Sequence, residues 1–139
     1  IAAKVLGRLG HLLGETRYLT AAEDTLKSLW SSLEGMPHGH ASLLVALEES
    51  LFPFQCIIIR GSPATMAPWH AAAARPYAPR RLSLAIPADT SPLPGQLDAR
   101  SPGEDPVAYV CSGLSCSAPV TSLDAFETLL LDTATPRIP

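Results

Sequence analysis

Lysine is nearly absent from this 139-residue chain, two residues against eight arginines, and charged residues of both signs make up only 17%. The net charge is −3 and the pI near 5.7. Without a basic footprint, nucleic acid is not an expected partner. No apolar run approaches the ~20 residues of a membrane span, and no basic-then-apolar leader precedes the first helical pattern. No membrane-spanning segment is expected. The three cysteines, Cys56, Cys111 and Cys116, are too few and too odd in number for the disulfide framework of a small secreted domain. A reducing cytoplasm is the expected home. The bias of arginine over lysine, with abundant Ala and Pro, points to a GC-rich bacterial genome.

What the chain does have is apolar content, 47% of residues, which describes a packed globular protein. It opens at Ile1 already in helical pattern and reads as the C-terminal piece of a longer protein. The expected division is 1–53 helical, 54–132 a small α/β unit, and 133–139 a tail.

In the helical part, Ala2, Val5, Leu6, Leu9, Leu12 and Leu13 share one face, and Lys4, Arg8, His11 and Glu15 another. A third face carries Ala3, Gly7, Gly10 and Gly14. Each interior glycine costs about 0.8–1 kcal/mol relative to alanine, so the stripe predicts close backbone approach by a neighbour and a helix packed on two sides. Gly14 also fits a C-cap. Thr20-Ala-Ala-Glu23 has the capping-box pattern and predicts the start of a second helix with Ala22, Leu26, Leu29, Trp30 and Leu33 inward. A third helix is expected over about 41–51, burying Leu43, Leu44, Leu47 and Leu51. His38 and His40 admit a metal reading, but with no Asp, Glu or Cys near them in sequence to complete a site they read as loop and helix-start residues.

From Gln55 the pattern changes. Gln55-Cys-Ile-Ile-Ile-Arg60 is a β-branched run with the signature of a strand covered on both faces. Gly61 turns it into a helix over about 66–75, with Pro68 in its first turn and Met66, Trp69, His70 and Ala73 on the inner stripe. The strand-to-helix turn could hold an anion, although one glycine is far from a nucleotide-binding fingerprint. Arg81–Ile86 is the second strand, parallel to the first through a right-handed crossover. Residues 87–106 carry five prolines and read as an irregular loop. Val107–Cys111 is a third strand, and Thr121-Ser-Leu-Asp124 caps a closing helix over about 122–131. The expected fold class is thus mixed α+β/α/β: a helical hairpin segment followed by a mainly parallel, three-stranded α/β subdomain.

Cys111 and Cys116 are the thiol candidates. Their spacing is not the C-x-x-C of a thioredoxin centre, and two ligands fall short of a structural zinc site. The favoured expectation is a strand-end cysteine and a turn cysteine, both reduced and unbridged. A reversible pair or half a metal site stays open beside it. A loop this short adds comparatively little entropic stabilisation, and no Lys, Arg or His adjoins either cysteine in sequence. Cys56 is expected to behave as a small hydrophobe.

Pro37 followed by Leu43-Leu44-x-Ala46-Leu47, a strand ending in Gly61, and Ala108-Tyr109-Val110-Cys111-x4-Cys116-x-x-Pro119-Val120 resembles the C-terminal end of the thioredoxin-domain-containing proteins that include the spermatogenesis-associated thioredoxin-like protein. The similarity spans roughly residues 12–130, and the cysteine block is its most specific part. It implies a thioredoxin-like domain and an α/α toroid, similar to six-hairpin glycosidases and N-acylglucosamine 2-epimerases, lying mostly upstream of Ile1. Residues 1–53 would then be the end of that toroid, a scaffold for a sugar-acting or redox enzyme. No catalytic, metal or cofactor residue carries over, and no cofactor is expected in this chain. The expected partners are upstream domains of the same parent chain, with homo-oligomerisation through the exposed helical face. The alternative is an independent interaction or thiol/metal module centred on Cys111 and Cys116.

Overall fold

The computed structural model describes residues 1–52 and 54–134, with side chains through Leu131. Among the described residues there are six α-helices and four strands, in a mixed α/β arrangement. The chain divides into two compact units. One comprises Ile1–Phe54 with Pro94–Leu97, the other Gln55–Leu93 with Asp98–Pro139.

The first unit is built from α1 (Ala2–Leu13), α2 (Thr16–Ser28), α3 (Trp30–Gly35) and α4 (Ala41–Leu51). Gly14 ends α1 in the left-handed conformation, φ 72°, the geometry that glycine adopts without a Cβ penalty. The Thr20 capping box is overturned: α2 already begins at Thr16 and Thr20 lies inside it. The tight Gly14–Glu15 link leaves no room for a later start.

The face of α1 that is buried is not its most apolar one. Ala3 and Gly10 are buried, whereas Val5 is 47% and Leu9 37% exposed. Gly7 and Gly10 let α2 approach so closely that a Cβ on Gly10 would sit 2.5 Å from Leu19 Cδ2. The adjoining charged face turns to α4, where Arg8 makes a two-pronged ion pair with buried Glu49. The apolar core gathers Ala3, Leu26, Leu33, Leu43 and Ala46. Leu29, Trp30, Leu44 and Leu51, expected inward, are 41%, 46%, 40% and 66% exposed. The break between α2 and α3 turns Leu29 and Trp30 outward.

The second unit is a four-stranded mixed sheet, order β2-β1-β3-β4, from β1 (Gln55–Gly61), β2 (Arg81–Pro87), β3 (Val107–Ser112) and β4 (Ser115–Cys116). Only β1 and β2 are parallel, joined through α5 (Pro63–Ala74). β3 runs antiparallel to β1 and β4 antiparallel to β3. This corrects the three-stranded, mainly parallel expectation. The return of the chain through residues 88–106 admits either direction for β3, and β4 is a two-residue strand too short to show in a hydropathy pattern.

Ile57, Ile59, Ala108 and Val110 point to one face of the sheet, against Met66, Trp69, Ala72 and Ala73 of α5 and Phe126 and Leu130 of α6 (Leu123–Ala134). Trp69 and Phe126 stack with centroids 5.3 Å apart. His70, expected on that inner stripe, is exposed and Ala72 takes its place. α5 starts at Pro63 with Ser62 accepting the Thr65 N–H, so Pro68 falls beyond the first turn. Arg81 donates to the carbonyls of Ala73 and Leu130, tying the ends of both helices to the sheet. On the opposite face, buried Arg60 donates to the carbonyls of Ala88 and Thr90 and holds down the start of the long loop. A short 3-10 turn, Gly95–Ala99, interrupts the segment expected to be wholly irregular. Because α6 continues through Ala134, only residues 135–139 of the expected tail are left, and these lie outside the described residues.

Candidate functional site: a cysteine rung on the sheet

β3 ends at Ser112, and the chain reverses over Gly113 and Leu114. Gly113 has φ 60°, the requirement of a two-residue hairpin turn whose first central position is glycine. Ser115 returns opposite Ser112, which brings Cys116 directly opposite Cys111. The next rung is a backbone hydrogen bond, Ser117 N–H to Val110 O at 2.8 Å. The cysteine pair therefore occupies the kind of cross-strand position in which side chains approach most closely. Their Cα atoms are 3.9 Å apart and the two sulfurs are bonded.

The expectation of two free thiols is corrected here. Treated as a strand end plus a turn, Cys111 and Cys116 have no reason to converge. Treated as the second rung of a tight hairpin, they share one face of the sheet and lie side by side.

A cation the sequence spacing did not signal completes the site. Arg100, from the long loop, donates through Nη2 to Cys116 Sγ at 3.0 Å. Its guanidinium lies over the Tyr109 ring, 5.5 Å from the centroid. The Tyr109 hydroxyl donates to Ser101 O at 2.9 Å, which anchors the loop beside the arginine. Cys111 is buried, whereas Cys116 is partly open to solvent.

Cys56 belongs to the same rung. The β1–β3 register pairs it directly with Cys111, so the three cysteines of the chain stand in a row on adjacent strands. Cys56 is a free thiol and only 4% exposed. Burial pushes it up to about 11, against the opposing pull of Arg100. From its sequence context Cys56 reads as a plain hydrophobe. A cysteine at the second position of one strand and another near the end of its antiparallel partner is the only signal that could have suggested otherwise, and it needs the register to be used.

His38 and His40 lie in a 3-10 turn (Pro37–His40). Among the described residues no group of three or more His, Cys, Asp or Glu side chains could hold a metal ion. At the turn after Gly61, Ser62 Oγ accepts the Thr65 N–H at 3.3 Å and hydrogen-bonds with the Thr65 hydroxyl at 2.8 Å. In the helical unit, Lys4, Arg8, His11, Glu49 and Phe54 line a cavity of about 30 Å³, room for roughly one water molecule. Burial lowers the His11 pKa, and the hydrogen bonds that Arg8 donates to the Glu49 carboxylate raise that of Arg8.

No helix of the described residues is long and apolar enough to cross a membrane. Comparison with known proteins finds no matching family model, curated protein or solved structure.

Proposed function

We propose that the α/β unit is a thiol–disulfide module, in which Cys116 and Cys111 cycle between a disulfide and a dithiol. The observation that carries this is the hydrogen bond from Arg100 to Cys116 Sγ. A fixed guanidinium beside a sulfur stabilises the thiolate that forms when the bond opens. Cys116 is the partly exposed residue of the pair and Cys111 the buried one. Cys116 therefore meets the outside thiol or disulfide, and Cys111 closes the bond again. Reduction takes two electrons and two protons from an external dithiol, and oxidation returns them.

Native titration in glutathione redox buffers, with alkylation and mass spectrometry, tests the proposal. Reversible opening of the 111–116 bond is expected. Replacing Arg100 with Gln should lower the reduction potential by about 30 mV, equivalent to a tenfold change in the equilibrium constant. A bond that opens only on unfolding, or a potential indifferent to Arg100→Gln, refutes the module.

The exposed apolar side chains of the helical unit favour a second role for it. Ile1, Val5 and Leu9 lie on α1 or at its N-terminus with 89%, 47% and 37% exposure. As the family resemblance implies, that face would be covered by further helices of a longer parent protein, or by a second copy. The helical unit is then scaffold for a carbohydrate-active or redox enzyme whose chemistry lies upstream. Sedimentation of this chain across concentration tests the second-copy form, and a monomer at every concentration rules that form out.

A further inference from the structure

We infer that Cys56 is a working member of the cysteine site: its sulfur exchanges with the Cys111–Cys116 disulfide, so that Cys111 changes partner and Cys116 is released as a thiol beside Arg100. This deepens the thiol–disulfide reading and rests on it.

The geometry comes from the ladder. Cys56 pairs with Cys111 in the β1–β3 register and Cys111 with Cys116 in the β3–β4 register. Residues directly opposite on neighbouring strands point to the same face, with Cβ atoms about 4.5–5.5 Å apart. Strands lie about 4.7–4.9 Å apart. The three side chains thus run in a row across the strands with Cys111 in the middle. Cys56 and Cys116 flank Cys111 from opposite neighbouring strands, the order that an exchange in which one displaces the other on Cys111 needs.

The step balances without an outside reagent. Cys56 loses its thiol proton to solvent, matching the one that Cys116 later takes up, and its thiolate attacks Cys111 Sγ. A Cys56–Cys111 bond forms, the Cys111–Cys116 bond breaks, and the electron pair leaves on Cys116 Sγ. That thiolate lies against Arg100 and takes a proton from solvent when it is neutralised. One disulfide and one thiol exist before and after, so nothing is oxidised or reduced overall. A lower-pKa thiol leaves faster, and the arginine lies on the leaving side. The buried Cys56 thiol, pushed up to about 11, makes the exchange slow rather than forbidden.

The consequence is positional. In the state described, the spare thiol is the 4% exposed Cys56, out of reach of a partner. After exchange the spare thiol is Cys116, partly open to solvent and beside a cation. The class of partner it then meets is an accessible disulfide, with which it forms a mixed disulfide.

The test uses the full chain in its disulfide form, treated with iodoacetamide under native conditions and mapped without reduction after denaturation. The expected product carries the label on Cys116 and a Cys56–Cys111 bond, exceeding label on Cys56 by roughly tenfold or more. Cys56→Ser should abolish labelling of Cys116 and keep the 111–116 bond. Label confined to Cys56, or no label with the 111–116 bond intact, overturns the exchange. A second variant gives an independent measurement. Cys116→Ser treated with oxidised glutathione should form the Cys56–Cys111 bond, whereas a glutathione adduct on Cys111 beside a free Cys56 overturns the inference. Failure of the underlying module is distinguishable. A 111–116 bond that opens and closes natively in both wild type and Cys56→Ser keeps the module while these two results decide the exchange. A bond that resists native reduction sinks the module whatever Cys56 does.

Discussion

Gly10 and Gly7 lie three residues apart on α1, and replacing each with alanine should move stability in opposite directions. In a helix interior the substitution alone gains about 0.8–1 kcal/mol. At Gly7 the new Cβ would meet only Ala22 Cβ at 3.9 Å, an ordinary contact. The propensity gain should therefore appear nearly undiminished. At Gly10 the Cβ would lie 2.5 Å from Leu19 Cδ2, 2.7 Å from Leu19 Cγ and 3.1 Å from Leu19 N. The Leu19 side chain must leave its present rotamer, and the α2 backbone nitrogen must give by a few tenths of an ångström. Overpacking of this kind costs about 1–3 kcal/mol, which leaves Gly10→Ala destabilised by up to about 2 kcal/mol after the propensity gain. Urea unfolding followed by helical circular dichroism separates the two variants. With slopes of about 1–3 kcal/mol per molar urea, their midpoints should differ by roughly 0.5 M or more, Gly7→Ala above wild type and Gly10→Ala below. A Gly10→Ala midpoint equal to or above that of Gly7→Ala would refute the close approach of α2.

Opening the Cys111–Cys116 bond, by reduction or by the double serine variant, should lower stability by about 2 kcal/mol from the entropy of closing so short a loop; urea curves with and without reductant measure it. Glu49→Ala leaves the Arg8 guanidinium without its two-pronged partner in a site where Glu49 is 8% exposed, and a loss of about 2 kcal/mol is expected, discounted from a fully buried pair because Arg8 is partly solvated. The Cys56 thiol is raised from 9.0 to about 11, so between those pH values the unfolded chain releases a proton that the folded chain keeps. The stabilisation is complete below about pH 9 and is lost as pH rises towards 11, amounting to roughly 2–3 kcal/mol. Unfolding curves from pH 8 to 11 should show wild type losing more stability than Cys56→Ala, and parallel slopes would contradict the burial of that thiol.

Much of the framework is legible without coordinates. The β-branched run Cys56–Ile59 and the apolar alternation of Leu82, Leu84 and Ile86 mark β1 and β2, and the intervening helix makes them parallel. Pro53 and the leucine pattern bound α4 at Ala41–Leu51, and Gly14 marks the end of α1. These features follow from local chemistry: side-chain branching, the missing Cβ of glycine, and the missing N–H of proline act within a few residues of where they stand. Hydrophobic periodicity misled at α1, because close packing here depends on small size rather than apolarity. The glycine stripe admits a backbone and the charged stripe finds Glu49, so the leucine and valine face is left outermost.

The cysteine site lies beyond what local chemistry can carry. A strand's alternation has a period of two, so the sequence by itself determines that Cys56 shares a face with Ile58, and Cys111 with Tyr109, but not which residue of one strand meets which of the next. The antiparallel pairing of β3 with β1 sets Cys56 opposite Cys111. The two-residue turn at Gly113 and Leu114 sets Cys111 opposite Cys116. The path of the long loop brings Arg100, 16 residues before Cys116, against its sulfur. Each of these is a long-range choice of register or path, settled by the packing of the whole sheet. That is why three cysteines and an arginine scattered along the chain become one site only once it has folded.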